Sequence, residues 1–202
     1  ITFPDLELRS GYDFAGWWPS QSFEGDPVNV NNFYELNFAD ITLYAKWVPF
    51  NYKIGIEAVS DYSNISGLDS LNTSIDCVRG LSEKILDASS SWTRKYFYTN
   101  DSVWENDFKS TTLGGNDSNI TDSVDLAAYC GHGYEIQGFV LANQSHDDGF
   151  VSRSDLRLGD VNLNWFLTFT CNFLKSEKDD IGIAMNGLHM LCGYKTNMTV
   201  TA

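Results

Sequence analysis

The sequence predicts an α/β fold with a parallel sheet over residues 50–202, preceded by a small β unit over residues 1–49. An apolar strand pattern covers residues 52–59, a helical apolar spacing covers residues 68–85, and a second strand pattern covers residues 95–99. Strand, helix and strand in this order are typical of a βαβ unit, in which the two strands lie parallel.

Two further apolar runs predict strands that end at reactive side chains. Residues 124–129 form a short run closed by Gly-His-Gly at residues 131–133, which predicts a buried strand followed by a tight turn. Residues 163–170 are rich in β-branched and aromatic residues and lead directly to Cys171. Parallel strands end at one edge of a sheet, where ligands collect. If the two strands are neighbours, His132 and Cys171 lie opposite each other.

A thiol and an imidazole are the smallest set of side-chain groups that can carry out nucleophilic attack on an acyl group. The thiol of free cysteine titrates at about 8.5, and a nearby histidine can raise the thiolate fraction or protonate the leaving amine. Gly133 places a backbone N–H beside His132 without a Cβ, and this N–H could hold a developing oxyanion together with that of Cys171.

These residues and their surroundings resemble the caspase-like cysteine peptidases, which include caspases, legumain, clostripain and gingipains. The likeness is carried by a strand-end His-Gly before a strand-end Cys, in the segments GHG, YEIQGF, RLGD, WFLTFTCNFL and GLHMLCGYKT. They look most like an uncharacterised bacterial branch of that group. The resemblance implies a caspase-like parallel-sheet sandwich and an endopeptidase that works through a thioester. It also implies that His132 is the general acid/base, Cys171 the nucleophile, and Gly133 with Cys171 the oxyanion hole.

The resemblance implies a protein or peptide substrate but no preferred side chain at the cut. Clostripain-like and metacaspase relatives often carry Asp two residues before the nucleophile, where it helps to select a basic side chain. Here that position is Phe169. A preference for Arg or Lys is therefore not implied.

Residues 1–49 resemble the Listeria–Bacteroides repeat, a β-grasp-like module of secreted and surface proteins of bacteria. The likeness is carried by Gly16, Trp17, Leu43, Tyr44, Ala45, Lys46 and Trp47. It implies secretion or a cell-surface location, and other surface modules of the same parent protein as neighbours. A small β module needs aromatic residues as its core, so a core role is favoured over sugar binding for Trp17, Trp18, Phe33, Tyr34 and Phe38.

Composition excludes two classes of partner. The 202-residue chain has 13 Lys and Arg against 27 Asp and Glu, a formal net charge of −14, and no basic cluster. Binding to a phosphate backbone needs such a cluster, so nucleic acid and anionic membranes are not expected partners. No apolar run approaches the ~18 residues of a membrane span, so membrane insertion is not expected either.

No cofactor is expected, and calcium is the alternative. The four cysteines contain no CxxC pair, which argues against zinc. Cys77 and Cys192 are each expected to be a small buried hydrophobic residue, with a disulfide as the competing interpretation. Acidic groups favour a hard cation, but EF-hand spacing is absent from the segment that holds His146, Asp147, Asp148, Asp155 and Asp160.

Three further elements are predicted around these strands. Ser66 and Asp69 fit a capping box at the start of the first helix. Residues 136–142 predict a short strand, and residues 172–188 predict a helix with Ile183, Met185 and Leu188 facing inward. The strand that follows begins at His189, and this rival histidine is expected at the opposite edge of the sheet.

A second function remains open at this level. The repeat would provide adhesion or spacing, and the α/β domain would be a non-catalytic binding platform on a bacterial surface. Caspase-like domains normally continue beyond a strand like that at residues 189–195. We therefore expect either that the chain is a piece of a longer protein or that a maturation cut leaves the remainder on another chain.

Overall fold

The computed structural model describes residue 6 and residues 9–29, 41–134, 138–175 and 181–198. The chain divides into two compact units, Ile1–Asn51 and Tyr52–Ala202. Each unit is described by itself below.

The first unit contains an antiparallel pair of strands, β1 (Tyr12–Trp18) and β2 (Tyr44–Pro49). Their register shifts at Gly16, whose φ of +123° is readily adopted only by glycine. Trp18 is buried, and the ammonium of Lys46 lies 4.7 Å from the centre of its ring. The expected core role therefore holds for Trp18, whereas Trp17 is only half-buried. Of the other aromatic residues in that prediction, Phe33, Tyr34 and Phe38 lie outside the described residues.

The second unit is built on a five-stranded parallel sheet. In chain order its elements are β3 (Tyr52–Ala58), α1 (Ser74–Ala88), β4 (Trp92–Thr99), α2 (Glu105–Phe108), β5 (Leu126–Cys130), β6 (Gly133–Tyr134), β7 (Gly138–Val140), β8 (Phe150–Ser152), β9 (Trp165–Phe169), α3 (Ile181–Ala184) and β10 (Met190–Cys192). The strands of the sheet lie in the order β4-β3-β5-β9-β10, and every neighbouring pair is parallel. The predicted α/β class is confirmed.

Alternation along β3 explains why both faces of the sheet are covered. Ile54, Ile56 and Ala58 face one side, where they pack with Val78 of α1. Gly55 faces the other side, and a Cβ there would lie 2.1 Å from the ring of Tyr96. A strand that is buried on both faces is mainly apolar, and in this one the buried exception is Glu57.

The opposite face is covered by loops, short turns and aromatic side chains. Phe108 of α2 packs edge to face against Tyr129 and Phe139, with ring centres 5.4 and 4.8 Å apart. The antiparallel strands β6, β7 and β8 form a small second sheet. The predicted strand over residues 136–142 is found as β7, and residues 135–137 lie outside the described part.

The start of the first helix differs from the prediction. Helix α1 begins at Ser74 with Thr73 as its N-cap, so Ser66 and Asp69 do not form a capping box. The preceding residues are tied to the end of β3 instead. The N–H of Leu71 donates to the carbonyl of Ser60, and the hydroxyl of Ser74 donates to the carbonyl of Val59.

The predicted helix over residues 172–188 is also wrong in most of its described part. Only α3 is helical there, and residues 176–180 lie outside the described residues. After Cys171 the chain turns at Asn172, which has a φ of +59°, and the N–H of Leu174 donates to the carbonyl of Tyr194. Ile183 and Met185 are exposed rather than inward, because the short α3 has a single buried position, Ala184. Leu188 is buried as expected.

The described helices are short. The longest is α1, with 15 residues, and none has both the length and the apolar character that a membrane crossing requires.

Candidate functional site

Strands β5 and β9 bring His132 and Cys171 to the same edge of the sheet. The two strands are parallel neighbours, and their register pairs Cys130 with Phe169 at their carboxyl ends. His132 and Cys171 each follow that pair by two residues. The adjacency expected from the sequence is therefore observed.

Gly133 lies directly against the backbone of Cys171. A Cβ at Gly133 would lie 1.9 Å from the carbonyl oxygen of Cys171 and 2.7 Å from its nitrogen. Only a hydrogen fits in this space. The two residues predicted to donate N–H groups to an oxyanion are thus in backbone contact.

The ring of His132 is oriented by a backbone carbonyl. Its Nε2 lies 2.7 Å from the carbonyl oxygen of Asp69, in the loop between β3 and α1. Because a carbonyl oxygen only accepts, Nε2 carries the proton and Nδ1 of the neutral ring keeps a lone pair. The imidazole is therefore held in the tautomer that can take up a proton at Nδ1.

Tyr62 contacts His132 through both its hydroxyl and its ring. The backbone N–H of His132 donates to the Tyr62 hydroxyl at 2.8 Å, and that hydroxyl donates to the carbonyl of Val140 at 2.9 Å. The Tyr62 ring also packs edge to face on the imidazole, with ring centres 4.6 Å apart. Burial raises the pKa of Tyr62 well above its usual value, so the phenol keeps its proton.

Cys171 is half-buried, and its thiol contacts Met198 in the segment 194–198. The N–H of Met198 donates to the sulfur at 3.1 Å, and the thiol lies 3.6 Å from the Met198 carbonyl oxygen. The N–H of Asn172 donates to the carbonyl of Thr196, which keeps the segment beside Cys171.

The other cysteines have different environments. Cys77 and Cys192 are exposed, so the expectation that they are buried hydrophobic residues is wrong: each lies where its side chain meets solvent. Cys130 is buried, and burial together with the neighbouring Cys77 raises its pKa to about 12. All four cysteines are free thiols in this structure, so the competing expectation of a disulfide for Cys77 or Cys192 does not hold in it.

The remaining histidines lie elsewhere. His189 precedes β10 at its amino end, and its N–H donates to the carbonyl of Asn164, which precedes β9. It therefore lies at the opposite edge of the sheet from His132, as predicted. His146 stacks on the indole of Trp104, with ring centres 3.8 Å apart.

The acidic residues proposed for calcium do not form one group. Asp155 closes a capping box with Ser152, and Asp147 lies 3.6 Å from His146. Asp160 instead lies near two acids that the sequence analysis did not select, in the loop before β5. One carboxylate oxygen from each of Asp117, Asp122 and Asp160 lies within 4.8 Å of the others.

These three carboxylates are the described residues best suited to hold a cation. Asp117 and Asp122 are buried, and burial, followed by the contact with Asp160, raises the pKa of Asp122 to about 7. Both Asp122 oxygens already accept backbone N–H groups, from Gly159 at 2.7 Å and Val161 at 2.9 Å. The group could not be found by spacing, because Asp160 lies 38 residues after Asp122 in the chain.

Two residues of the site carried no sequence signal. Asp69 acts through its backbone carbonyl, which every residue type possesses. Tyr62 lies in a loop rich in Ser and Asn, and only its burial under His132 marks it.

Comparison with known proteins gives one match. The model of a family described as a domain of unknown function (DUF6345) matches residues 56–202. No curated protein and no solved structure matches the chain. The matched region begins within β3 and includes His132, Gly133 and Cys171. Because it makes up more than half of the chain, the protein belongs to the DUF6345 family.

Proposed function

We propose that this chain is a cysteine endopeptidase of caspase-like fold, with His132 and Cys171 as its catalytic dyad. The observation that carries the proposal is their position at the carboxyl ends of two adjacent parallel strands, with Gly133 packed on the Cys171 backbone. Edges of this kind are where parallel α/β sheets bind ligands.

In the proposed reaction, the Cys171 sulfur attacks the carbonyl carbon of a peptide bond. The thiol proton passes to Nδ1 of His132, and the carbonyl oxygen becomes an oxyanion held by the N–H groups of Gly133 and Cys171. As the C–N bond breaks, the imidazolium returns the proton to the leaving amine. Water then hydrolyses the thioester, and His132 again accepts and returns a proton.

The carbonyl of Asp69 has a defined part in this scheme. It accepts the Nε2 proton, so the ring stays oriented while Nδ1 changes its protonation state. A neutral carbonyl also stabilises the imidazolium, although less strongly than a carboxylate does. The pairing supports a positioning role for the loop between β3 and α1.

Location and substrate follow from the resemblances described above. We propose that the enzyme acts on proteins or peptides, and that its first unit places it among other surface modules of a secreted or surface-bound bacterial protein. The partial exposure of Cys171 supports a site that a peptide can reach.

The test is covalent labelling with a peptidyl acyloxymethyl ketone, followed by peptide mass spectrometry. We expect the label on Cys171, loss of labelling in His132→Ala, and unchanged labelling in the control His146→Ala. Removal of the exposed thiols in a Cys77→Ser, Cys192→Ser double variant should leave the label in place. Labelling of another cysteine in the folded protein, or equal labelling in His132→Ala, would contradict the proposal.

Turnover separates the enzyme from the non-catalytic platform considered above. A mixture-based peptide library should yield cleavage products with the wild-type protein and none with Cys171→Ala. If the wild-type protein cleaves nothing and the label does not react, the second unit is a binding platform.

A further inference from the structure

A cavity lies on the face of the sheet opposite α1. Its volume is about 430 Å³, which is within the range of small-molecule sites. Its walls include aromatic and apolar side chains together with a few polar ones: Tyr98, Trp104, Asp107, Asn116, Ile120 and His146. Neither His132 nor Cys171 lines it.

Asp107 is the charged group of this cavity. Its side chain is almost fully buried, and its Oδ2 accepts the N–H of Trp104 at 2.9 Å. Burial raises the pKa of Asp107 to about 6, so the carboxylate is still mostly ionised at neutral pH. A buried carboxylate of this kind needs a partner that offsets its lost hydration.

Glu57 is a neighbour of Asp107, but as a carboxyl group it cannot balance the charge of Asp107. It is buried on the same face of the sheet, and burial, followed by the charge of Asp107, raises its pKa well above the usual value. Its Oε1 accepts a hydrogen bond from the Thr121 hydroxyl at 3.4 Å. Burial and a neighbouring negative charge both favour the neutral form of a carboxyl group. Glu57, the more deeply buried of the two, is therefore the neutral group, and Asp107 keeps the charge.

The surroundings add negative charge to the cavity. Asp147 lies close enough to Asp107 to raise its pKa. Its Oδ2 accepts the N–H of Asn106 at 3.3 Å. Lys109, in the turn after α2, is engaged by Glu105 at 2.7 Å. Among the described lining residues there is no Lys or Arg, and His146 is the one basic group.

The aromatic walls of the cavity are held by a hydrogen bond and by ring stacking. The indole N–H of Trp104 donates to the carbonyl of Asp101 at 2.8 Å, and the ring is stacked parallel to that of His146. Tyr98 is stacked on Tyr96, with ring centres 5.0 Å apart. Aromatic walls beside a buried carboxylate suit a cation carried on a flat or apolar body.

We propose that this cavity binds a small organic cation, an amidinium, guanidinium or primary ammonium on a flat apolar body, with Asp107 as the charge partner. The proposal does not rest on the peptidase reaction. The same cationic group could belong to a free small molecule or to a basic side chain of a peptide, and the two sources are separated below.

Benzamidine and its neutral isostere benzamide provide the test, by isothermal titration calorimetry at pH 7.5. We expect benzamidine to bind and benzamide to bind at least tenfold more weakly. Asp107→Asn should reduce benzamidine affinity at least tenfold, because a charge-assisted hydrogen bond contributes ~1.5–3 kcal/mol. Asn keeps the volume, and its amide oxygen can still accept the N–H of Trp104. Ser102→Ala, a neutral change in the same wall, should leave the affinity within about twofold.

A second variant keeps the proposal falsifiable if Asp107→Asn fails to fold. Asn116 lines the cavity, and its Oδ1 accepts the Nδ2 proton of Asn119 at 2.6 Å. Asn116→Asp preserves that acceptor and adds a negative charge, so benzamidine should bind severalfold more tightly. Equal binding of benzamidine and benzamide, or benzamidine affinities unchanged in both variants, would overturn the proposal.

The source of the cation is resolved with acetyl-arginine amide and acetyl-citrulline amide. Tighter binding of the arginine compound assigns the site to a basic side chain, whereas binding of benzamidine alone assigns it to free small cations. The titrations are repeated with Cys171→Ala, in which the affinities should be unchanged. A loss of peptidase activity therefore does not contradict the proposed cation site. A failure of cation binding likewise does not contradict the proposed roles of His132 and Cys171.

Discussion

The contact between Gly133 and Cys171 leads to a sharp prediction for Gly133→Ala. The new methyl group would lie 1.9 Å from a backbone carbonyl oxygen, which cannot rotate away as a side chain can. Residues 131–134 would have to move relative to the loop after β9. Overpacking of this kind costs about 1–3 kcal/mol, and the rigid partner favours the upper end of that range.

Urea unfolding followed by circular dichroism at 222 nm measures this cost, because α1 is the longest described helix and belongs to the same unit. With a slope of about 2 kcal/mol/M, a loss of 3 kcal/mol lowers the midpoint by about 1.5 M. Labelling of Cys171 should also fall, since the two backbones that flank the site are pushed apart.

Gly80→Ala is the matched control for this substitution. Gly80 lies inside α1, and a Cβ there meets nothing within 4 Å. Alanine is favoured over glycine in a helix interior by about 1 kcal/mol, so the urea midpoint should rise. An unchanged midpoint in Gly133→Ala, or an equal loss in Gly80→Ala, would show that the reasoning about the site backbone is wrong.

Three other measurements test the same structure. The folded-state pKa values of Asp107 and Asp122 are about 6 and about 7, above those of unfolded chains, so the folded protein binds more protons than the unfolded one. The free energy of unfolding should therefore fall as pH rises from about 4 to 7. Asp122→Asn should make this fall smaller when urea unfolding is measured at each pH. When the native protein is titrated with an aromatic disulfide reagent, Cys130 should stay unmodified until urea is added, because its pKa is about 12 and its side chain is buried. Rapid modification of Cys130 without urea would contradict this burial. Tyr62→Phe should cost ~1–3 kcal/mol, because the backbone N–H of His132 loses its buried acceptor. Tyr129→Phe removes only a second donor to the Val140 carbonyl and should cost less. The reverse order of the two costs would be evidence against the support of His132 by Tyr62.

The strands of the sheet were largely predictable because their physical requirements are local. β5 is buried on both faces and therefore appears as a short continuous apolar run, and β3 is buried from Ile54 to Ala58 with Glu57 as the one charged residue there. The ends of the apolar runs at β5 and β9 were also predictable, and they place His132 and Cys171 two residues after the last residues of these strands. The parallel arrangement also followed from the order of strand, helix and strand.

The helix boundaries were less predictable because tertiary hydrogen bonds override local preference. Ser66 and Asp69 have the side chains of a capping box, yet the carbonyl of Asp69 is engaged by His132 and α1 starts later. Residues 172–175 have helical composition, but Leu174 is bonded to Tyr194. In both places a partner distant in the chain competes with the helix, and local sequence carries no information on that partner.

For the same reason, the position of the candidate site could be predicted from the sequence, but the backbone groups that contact His132 and Cys171 could not. Strand order brings a histidine and a cysteine to one edge, and the chemistry then depends on groups with no side-chain signature. The Asp69 carbonyl sets the tautomer of His132, and the N–H of Met198 lies 3.1 Å from the Cys171 sulfur. Substituting Asp69 should therefore leave labelling of Cys171 nearly unchanged if the loop keeps its path, since the carbonyl remains. Replacing His132 should abolish it, and the contrast between the two variants separates a backbone role from a side-chain role.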